Sequence, residues 1–136
     1  MKRRKDKRQN MNDIDIVLLW VDGNDPLWRE EKNKYSPVKE DYSSADNRFR
    51  DWDNLQFLFR GIEKFAPWAR YVYFITWGHT PKWLNTGHPK IKVVNHRDYI
   101  PERFLPTFNS NTIELNLHRI EELSDQFVLF NDDMFL

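Results

Sequence analysis

Apolar and polar positions fall in blocks along this chain, and the blocks differ in period. Ile14-Asp15-Ile16-Val17-Leu18-Leu19-Trp20-Val21 is a short β-rich run, closed by the turn residues Asp22-Gly23-Asn24-Asp25-Pro26. Residues 27–47 are polar and weakly patterned, with a short helix expected over 27–34 and a loop after it. Leu55, Leu58, Phe59 and Ile62 then recur at i, i+3, i+4, i+7, one face of a helix that Asn54 is placed to cap and Pro67 to end. Residues 71–76 and 91–94 read as the second and third strands, joined by a link rich in Pro, Gly and Asn. Beyond Pro101 and Pro106 a helix is expected to start at Ser110 or Asn111. There Asn111 and Glu114 approximate a capping box, and Ile113, Leu117 and Ile120 form an inward stripe. The last strand is 127–130, a segment suited to burial that runs straight into Asn131-Asp132-Asp133.

Strands separated by helices or long crossings imply an α/β domain with a mainly parallel sheet, whose ligands bind beyond the carboxyl ends of the strands. That rule directs attention to Asp22 and Asp25 after the first strand, Asn95-His96-Arg97-Asp98 after the third, and Asn131-Asp132-Asp133 after the last. Hard oxygen donors beside a diphosphate suit Mg²⁺ or Mn²⁺. The competing reading of Asp132-Asp133 is plain strand termination, with one acid capping a turn. Asp22-Gly23-Asn24-Asp25 has its glycine in the wrong place for a calcium loop and reads as a β-turn. His96 is either an acid/base group or a histidine held by hydrogen bonds. Arg48, Arg50 and Arg60 either clamp phosphate or pair with Asp46, Asp51 and Glu63. Asn109-Ser110-Asn111 at a helix start offers free N–H groups to an anion, and His118 lies four residues after Glu114, with Arg119 following. Trp20, Trp68 and Trp83 read as packing anchors.

Composition narrows this picture. The 136 residues suffice for one core, and 40% apolar with 15% aromatic residues is not a disordered composition. No stretch approaches the roughly 20 apolar residues of a membrane helix. The basic start lacks an apolar region behind it, so no secretory signal is expected. The absence of cysteine rules out a disulfide framework and thiolate metal sites and suits a cytosolic protein. A formal net charge of zero hides a basic, flexible head, residues 1–12, with KRRKDKR at 2–8 in front of a net-acidic body. Such a head could touch an anionic membrane surface, whereas the acidic body argues against nucleic acid as a partner.

Three stretches, "IDIVLLWVDGNDPLW", "NRFRDWDNLQFLFRGIEKFAPWARYVYFITWGHTPKWLN" and "VVNHRDYIPERFLPTFNSNTIELNLHRIEELSDQFVLFNDDMF", together resemble the first two conserved regions of the Stealth family. The likeness runs from about Ile14 to Leu136, and "ITWGHTPKWLN" is nearest the bacterial branch. The resemblance implies a Rossmann-like fold of nucleotide-sugar transferase type, incomplete in this stretch. Residues 13–47 would hold the first conserved region and a loop, and 48–136 the second. It implies transfer of a hexose- or N-acetylhexosamine-1-phosphate from a nucleotide-sugar donor to a glycan acceptor in capsular or cell-surface polysaccharide. The alternatives are an ordinary glycosyltransferase and an inactive nucleotide-sugar-binding fragment. The implied cofactor is Mg²⁺ or Mn²⁺, and the implied location is the bacterial cytoplasm at the inner membrane face.

Carried onto this sequence, the resemblance makes Asp132, Asp133, His118 and Asp22 catalytic candidates, with Asp132 and Asp133 also on the metal. Asp25, Arg48, Arg60, His96, Asn109, Ser110, Arg119 and Asn131 become substrate-binding candidates. Gln56 stands where relatives often carry arginine, so it receives no phosphate role. The family's third and fourth conserved regions are expected to follow Leu136.

Overall fold

The computed structural model describes residues 12–35, 54–134 and 136. The basic head at 2–8, the loop at 36–47 and Arg48 lie outside the described residues. The elements run β1 (Ile14–Leu19), α1 (Pro26–Tyr35), α2 (Leu55–Phe65), β2 (Val72–Thr76), β3 (Ile91–Asn95), α3 (His96–Tyr99), α4 (Ser110–Leu115) and β4 (Gln126–Asn131). Single 3₁₀ turns at Glu102–Phe104 and Leu117–Arg119 follow α3 and α4. The four strands form one sheet in the order β3-β2-β1-β4, and every pairing is parallel. From β1 the chain first builds outward to β2 and β3, then returns to lay β4 on the other side of β1. The topology therefore reverses between β1 and β4, and the crevice outside those two strand ends is where such sheets take ligands.

The two-residue period of the strands sends alternate side chains to opposite faces. Ile16, Leu18, Trp20, Val72 and Phe74 meet Leu55, Leu58 and Ile62 of α2 on one face. Val17, Tyr73 and Ile75 meet Tyr99, Ile100, Ile113 and Leu117 on the other. Covering both faces is what an all-parallel sheet requires. The apolar spacing thus located α2 correctly, although Asn54 caps it by position without a side-chain hydrogen bond.

At the amino end of the sheet the structure buries an ion pair. Asp15 is 0% exposed. Its carboxylate accepts from Arg70 Nε at 2.9 Å and Nη2 at 2.6 Å, from the Tyr71 amide at 3.2 Å and from the Ser124 amide at 2.8 Å. Arg70 also donates to the Glu122 carbonyl. One carboxylate thereby ties the starts of β1, β2 and β4 together, with forked geometry and nearby amides offsetting the cost of burying charge.

Several expectations need correction. The 127–130 strand is not buried: β4 is an edge strand, paired among the described residues with β1 alone, and Phe127 and Val128 are 38% and 39% exposed. Apolar composition suits a residue to a sheet but does not say whether both faces are covered. Of the three tryptophans read as anchors, Trp20 is buried, whereas Trp68 and Trp83 are 53% and 42% exposed. The helix after Pro106 is capped by Asn109, whose side chain accepts the Asn111 amide at 2.9 Å, and it ends at Leu115. The chain then tightens into a 3₁₀ turn, and His118 Nδ1 donates to the Leu115 carbonyl at 2.9 Å in place of the helical Glu114 pairing.

Candidate functional site

A cleft of about 380 Å³ lies at the switch point, with Leu19, Trp20 and Val21 from the end of β1 and Asn131, Asp132 and Asp133 from the end of β4. Its remaining walls are Trp28 of α1, His96 at the end of β3, Thr107 and Phe108, and Ser110 and Ile113 of α4. Parallel strands of similar length place all their carboxyl ends on one edge, which is why residues more than a hundred positions apart share this space. A second cleft of about 490 Å³ adjoins it through His96 and Thr107, lined also by Trp77, Asn95, Arg97 and Glu31.

The walls are rigidly built. Pro26 opens α1 with its ring preset for helix, and Asp25 caps it: Asp25 Oδ1 accepts the Leu27 and Trp28 amides at 2.9 and 3.3 Å. That helix delivers Trp28, which packs edge-on against Phe108 with ring centroids 5.7 Å apart. At the end of β3, Asn95 and Asp98 form a reciprocal capping box over α3, so both are committed to the backbone. His96 is the first residue of α3 and is only 3% exposed. Burial pushes its pKa down to about 4, so His96 is uncharged near neutral pH. Among the described residues, its Nδ1 and the Trp20 Nε1 are buried polar atoms without a hydrogen-bond partner.

Of the residues singled out in the sequence, the structure brings His96, Ser110, Asn131, Asp132 and Asp133 together around one cleft. Asp22 and Asp25 sit beside it, in the turn between β1 and α1; Asp22 Oδ1 accepts the Asn24 amide and the Asp22 carbonyl accepts the Asp25 amide, the expected β-turn. Asn109 is occupied in capping α4. Three residues lie elsewhere. Arg60 is on α2, over the Phe57 ring, and lines a separate, largely apolar cleft on that helix's side of the sheet. His118 and Arg119 occupy the exposed 3₁₀ turn, because α4 runs away from the site before they are reached; Arg119 Nε donates to Asn116 Oδ1.

His79 was missed. It follows β2, and the strand-end rule that picked out the ends of the other three strands would have found it. Trp28 and Phe108 were missed because neither belongs to a periodic segment.

Two of the site's stretches fall in regions that match known proteins. Residues 12–37 match Stealth protein CR1, conserved region 1, and residues 48–136 match Stealth protein CR2, conserved region 2. The chain belongs to the Stealth family. A capsular polysaccharide phosphotransferase WcwK of Streptococcus pneumoniae is 58% identical over 127 residues, covering 93% of this chain and 39% of the relative. Capsular polysaccharide phosphotransferase eps5J of Streptococcus thermophilus is 50% identical over 126 residues, covering 90% of this chain and 53% of the relative. Exopolysaccharide phosphotransferase cps2G of Lactiplantibacillus plantarum is 46% identical over 124 residues, covering 91% of this chain and 36% of the relative. This Stealth chain therefore spans between a third and just over half the length of these relatives.

Among the described residues no group of three or more His, Cys, Asp or Glu side chains is placed to hold a metal. Asp132 and Asp133 nevertheless supply paired carboxylates at the cleft, with Asn131 beside them. That donor set fits a hard divalent ion bound by one or two carboxylates together with substrate phosphates and waters, rather than one held in an all-protein cage. No helix among the described residues is long and apolar enough to cross a membrane.

Proposed function

We propose that this chain carries part of the active site of a sugar-1-phosphate transferase of polysaccharide biosynthesis. The observation behind this reading is the cleft at the β1–β4 switch point, where Asp132 and Asp133 share a wall-to-wall space with His96 and Ser110. The names of its relatives supply the reaction class, phosphotransfer to a capsular or exopolysaccharide. In this reading a glycan hydroxyl attacks the sugar-bearing phosphorus of a nucleotide sugar. The bond from that phosphorus to the bridging oxygen breaks, a nucleoside monophosphate leaves, and a phosphodiester joins sugar and glycan. The attacking hydroxyl must give up its proton, and two linked phosphates must be held with their charge balanced.

Asp132 and Asp133 would hold Mg²⁺ or Mn²⁺, which when bound supplies positive charge to the diphosphate. Asn131 and Ser110 offer neutral hydrogen-bonding groups at the same opening. His96, uncharged near neutral pH, suits contact with an uncharged hydroxyl better than with phosphate. The neighbouring cleft, joined through His96, is open to an acceptor sugar approaching the same phosphorus. The residues of Arg48 and the basic head are proposed to serve phosphate and an anionic membrane surface at the cytoplasmic face.

The test uses an enzyme spanning the full length of the relatives and carrying these residues. It is incubated with nucleotide sugar radiolabelled in the sugar-bearing phosphate, with acceptor glycan and with Mg²⁺ or Mn²⁺. Label is expected on the glycan, with unlabelled nucleoside monophosphate released. Label retained on a nucleoside diphosphate would establish ordinary glycosyl transfer. Asp132→Asn and Asp133→Asn should each lower turnover by about 10²–10³-fold, the scale of a lost electrostatic stabiliser of developing charge. Turnover close to wild type in both would remove them from the site.

A further inference from the structure

His79 makes two hydrogen bonds that together fix its protonation pattern. The Asp22 backbone N–H donates to His79 Nε2 at 2.8 Å, and His79 Nδ1 lies 2.8 Å from Asp25 Oδ2. A backbone amide can only donate, so Nε2 must present its lone pair, and the ring proton sits on Nδ1, directed at the Asp25 carboxylate. The bond from His79 is in turn the largest cause of the lowered Asp25 pKa. The ring packs against Trp20 and Trp77, with centroids at 5.2 and 5.6 Å, and the Thr76 hydroxyl donates to the His79 carbonyl. Gly78, just before it, has φ of 135°, a conformation that β-carbon-bearing residues rarely adopt, and this lets the chain turn back sharply after β2.

From these contacts we propose that His79 is a positioning residue. As the neutral Nδ1–H tautomer it clasps the β1–α1 turn to the end of β2, and through Asp25 it fixes α1, which carries Trp28 and Glu31 into the walls of the two clefts. It is not a proton-transfer group, since both ring nitrogens are engaged within the protein. Its bearing on phosphotransfer rests on the function proposed above, whereas the clasp itself does not.

Two substitutions separate the halves of the clasp. In His79→Gln the amide oxygen reaches the place of Nε2 and can accept from Asp22, while the donor to Asp25 is lost. In His79→Asn the amide nitrogen takes the place of Nδ1 and can donate to Asp25, while the acceptor for Asp22 is lost. Amide hydrogen exchange in this chain should then show a crossed pattern. The Asp22 amide exchanges about tenfold faster in His79→Asn, and the Leu27 amide about tenfold faster in His79→Gln, each near its wild-type rate in the other variant. Equal loosening in both, or none, overturns the clasp.

Nitrogen-15 NMR of the wild-type imidazole decides the matter even if a variant fails to fold. A single protonated nitrogen at Nδ1 is expected, and a proton on Nε2 refutes the assignment. Titration with UDP-glucose and Mg²⁺ links the clasp to the site, with binding about tenfold weaker in His79→Ala. Equal binding by wild type and His79→Ala overturns the positioning role. A wild-type chain that does not bind UDP-glucose counts against the proposed function, and the crossed exchange pattern still decides the clasp.

Discussion

At the amino end of the sheet Asp15 is shut away from water, with a forked arginine and two backbone amides taking up its oxygens. At the carboxyl end Asp133 stands exposed in the turn after β4, beside Asp132 at the rim of a cleft. The residue type is the same and β1 and β4 connect the two ends, yet the carboxylates are treated in opposite ways. A carboxylate whose acceptor capacity is saturated by the fold contributes to stability and has little left for a ligand. One that the fold leaves at a rim contributes little to stability and keeps its oxygens for something else.

The largest effect is expected from Arg70→Met. It leaves the Asp15 charge buried without its guanidinium, and removing one member of a buried pair costs about 3–5 kcal/mol. Urea unfolding of the variant measures this directly. Replacing Asp15 by Leu as well should recover only part of the loss, because the Tyr71 and Ser124 amides would still lack an acceptor. A cost near zero for Arg70→Met would mean that water reaches the pair.

Acid should act on the other edge through His96. Its pKa is about 4 in the folded chain and about 6.5 when unfolded, so between those values the unfolded state binds more protons. Stability therefore falls as pH drops from about 6.5 toward 4 and is flat above that window, with a loss of about 3 kcal/mol at the lower limit. Asp25, whose pKa is lowered chiefly by His79, adds a further loss only at more acidic pH. His96→Gln should flatten the upper part of the curve, and an unchanged curve would show that His96 charges freely in the folded state.

Gly78→Ala comes next, at about 2 kcal/mol, since its φ is strained for any side chain and a β-carbon would lie 2.9 Å from Asn95 Nδ2. Thermal unfolding of this variant tests whether the turn after β2 is held as firmly as the hydrogen bonds of His79 imply.

How far this contrast could be read in advance depended on how local its causes are. The parallel sheet, α2 and the gathering of Asp132, Asp133 and His96 at one edge all follow from periodicity together with the strand-end rule, because both act through neighbouring positions. The Asp15–Arg70 pair joins residues 55 positions apart, and nothing around either announces the other. The His79–Asp25 contact spans 54 positions and was equally silent, although its location after a strand was not. Burial of β4 was misjudged for a related reason: Val128 and Phe127 look like core residues, and only the strand order shows that they lie at an edge. The placement of His118 was misjudged because the helix was assumed to continue to Ile120, whereas it ends at Leu115.

The smallest effect should come from Asp133→Asn, and its smallness is informative. An exposed carboxylate in a turn that the backbone already closes, through the Met134 amide and the Asn131 carbonyl at 3.1 Å, should alter unfolding free energy by no more than about 0.5 kcal/mol. A loss approaching that of Arg70→Met would make Asp133 a structural acid like Asp15 and would dissolve the contrast between the two ends. An unchanged urea midpoint, combined with the large fall in turnover expected under the proposed function, is the pattern of a residue kept for a ligand, because it separates the cost to chemistry from the cost to folding.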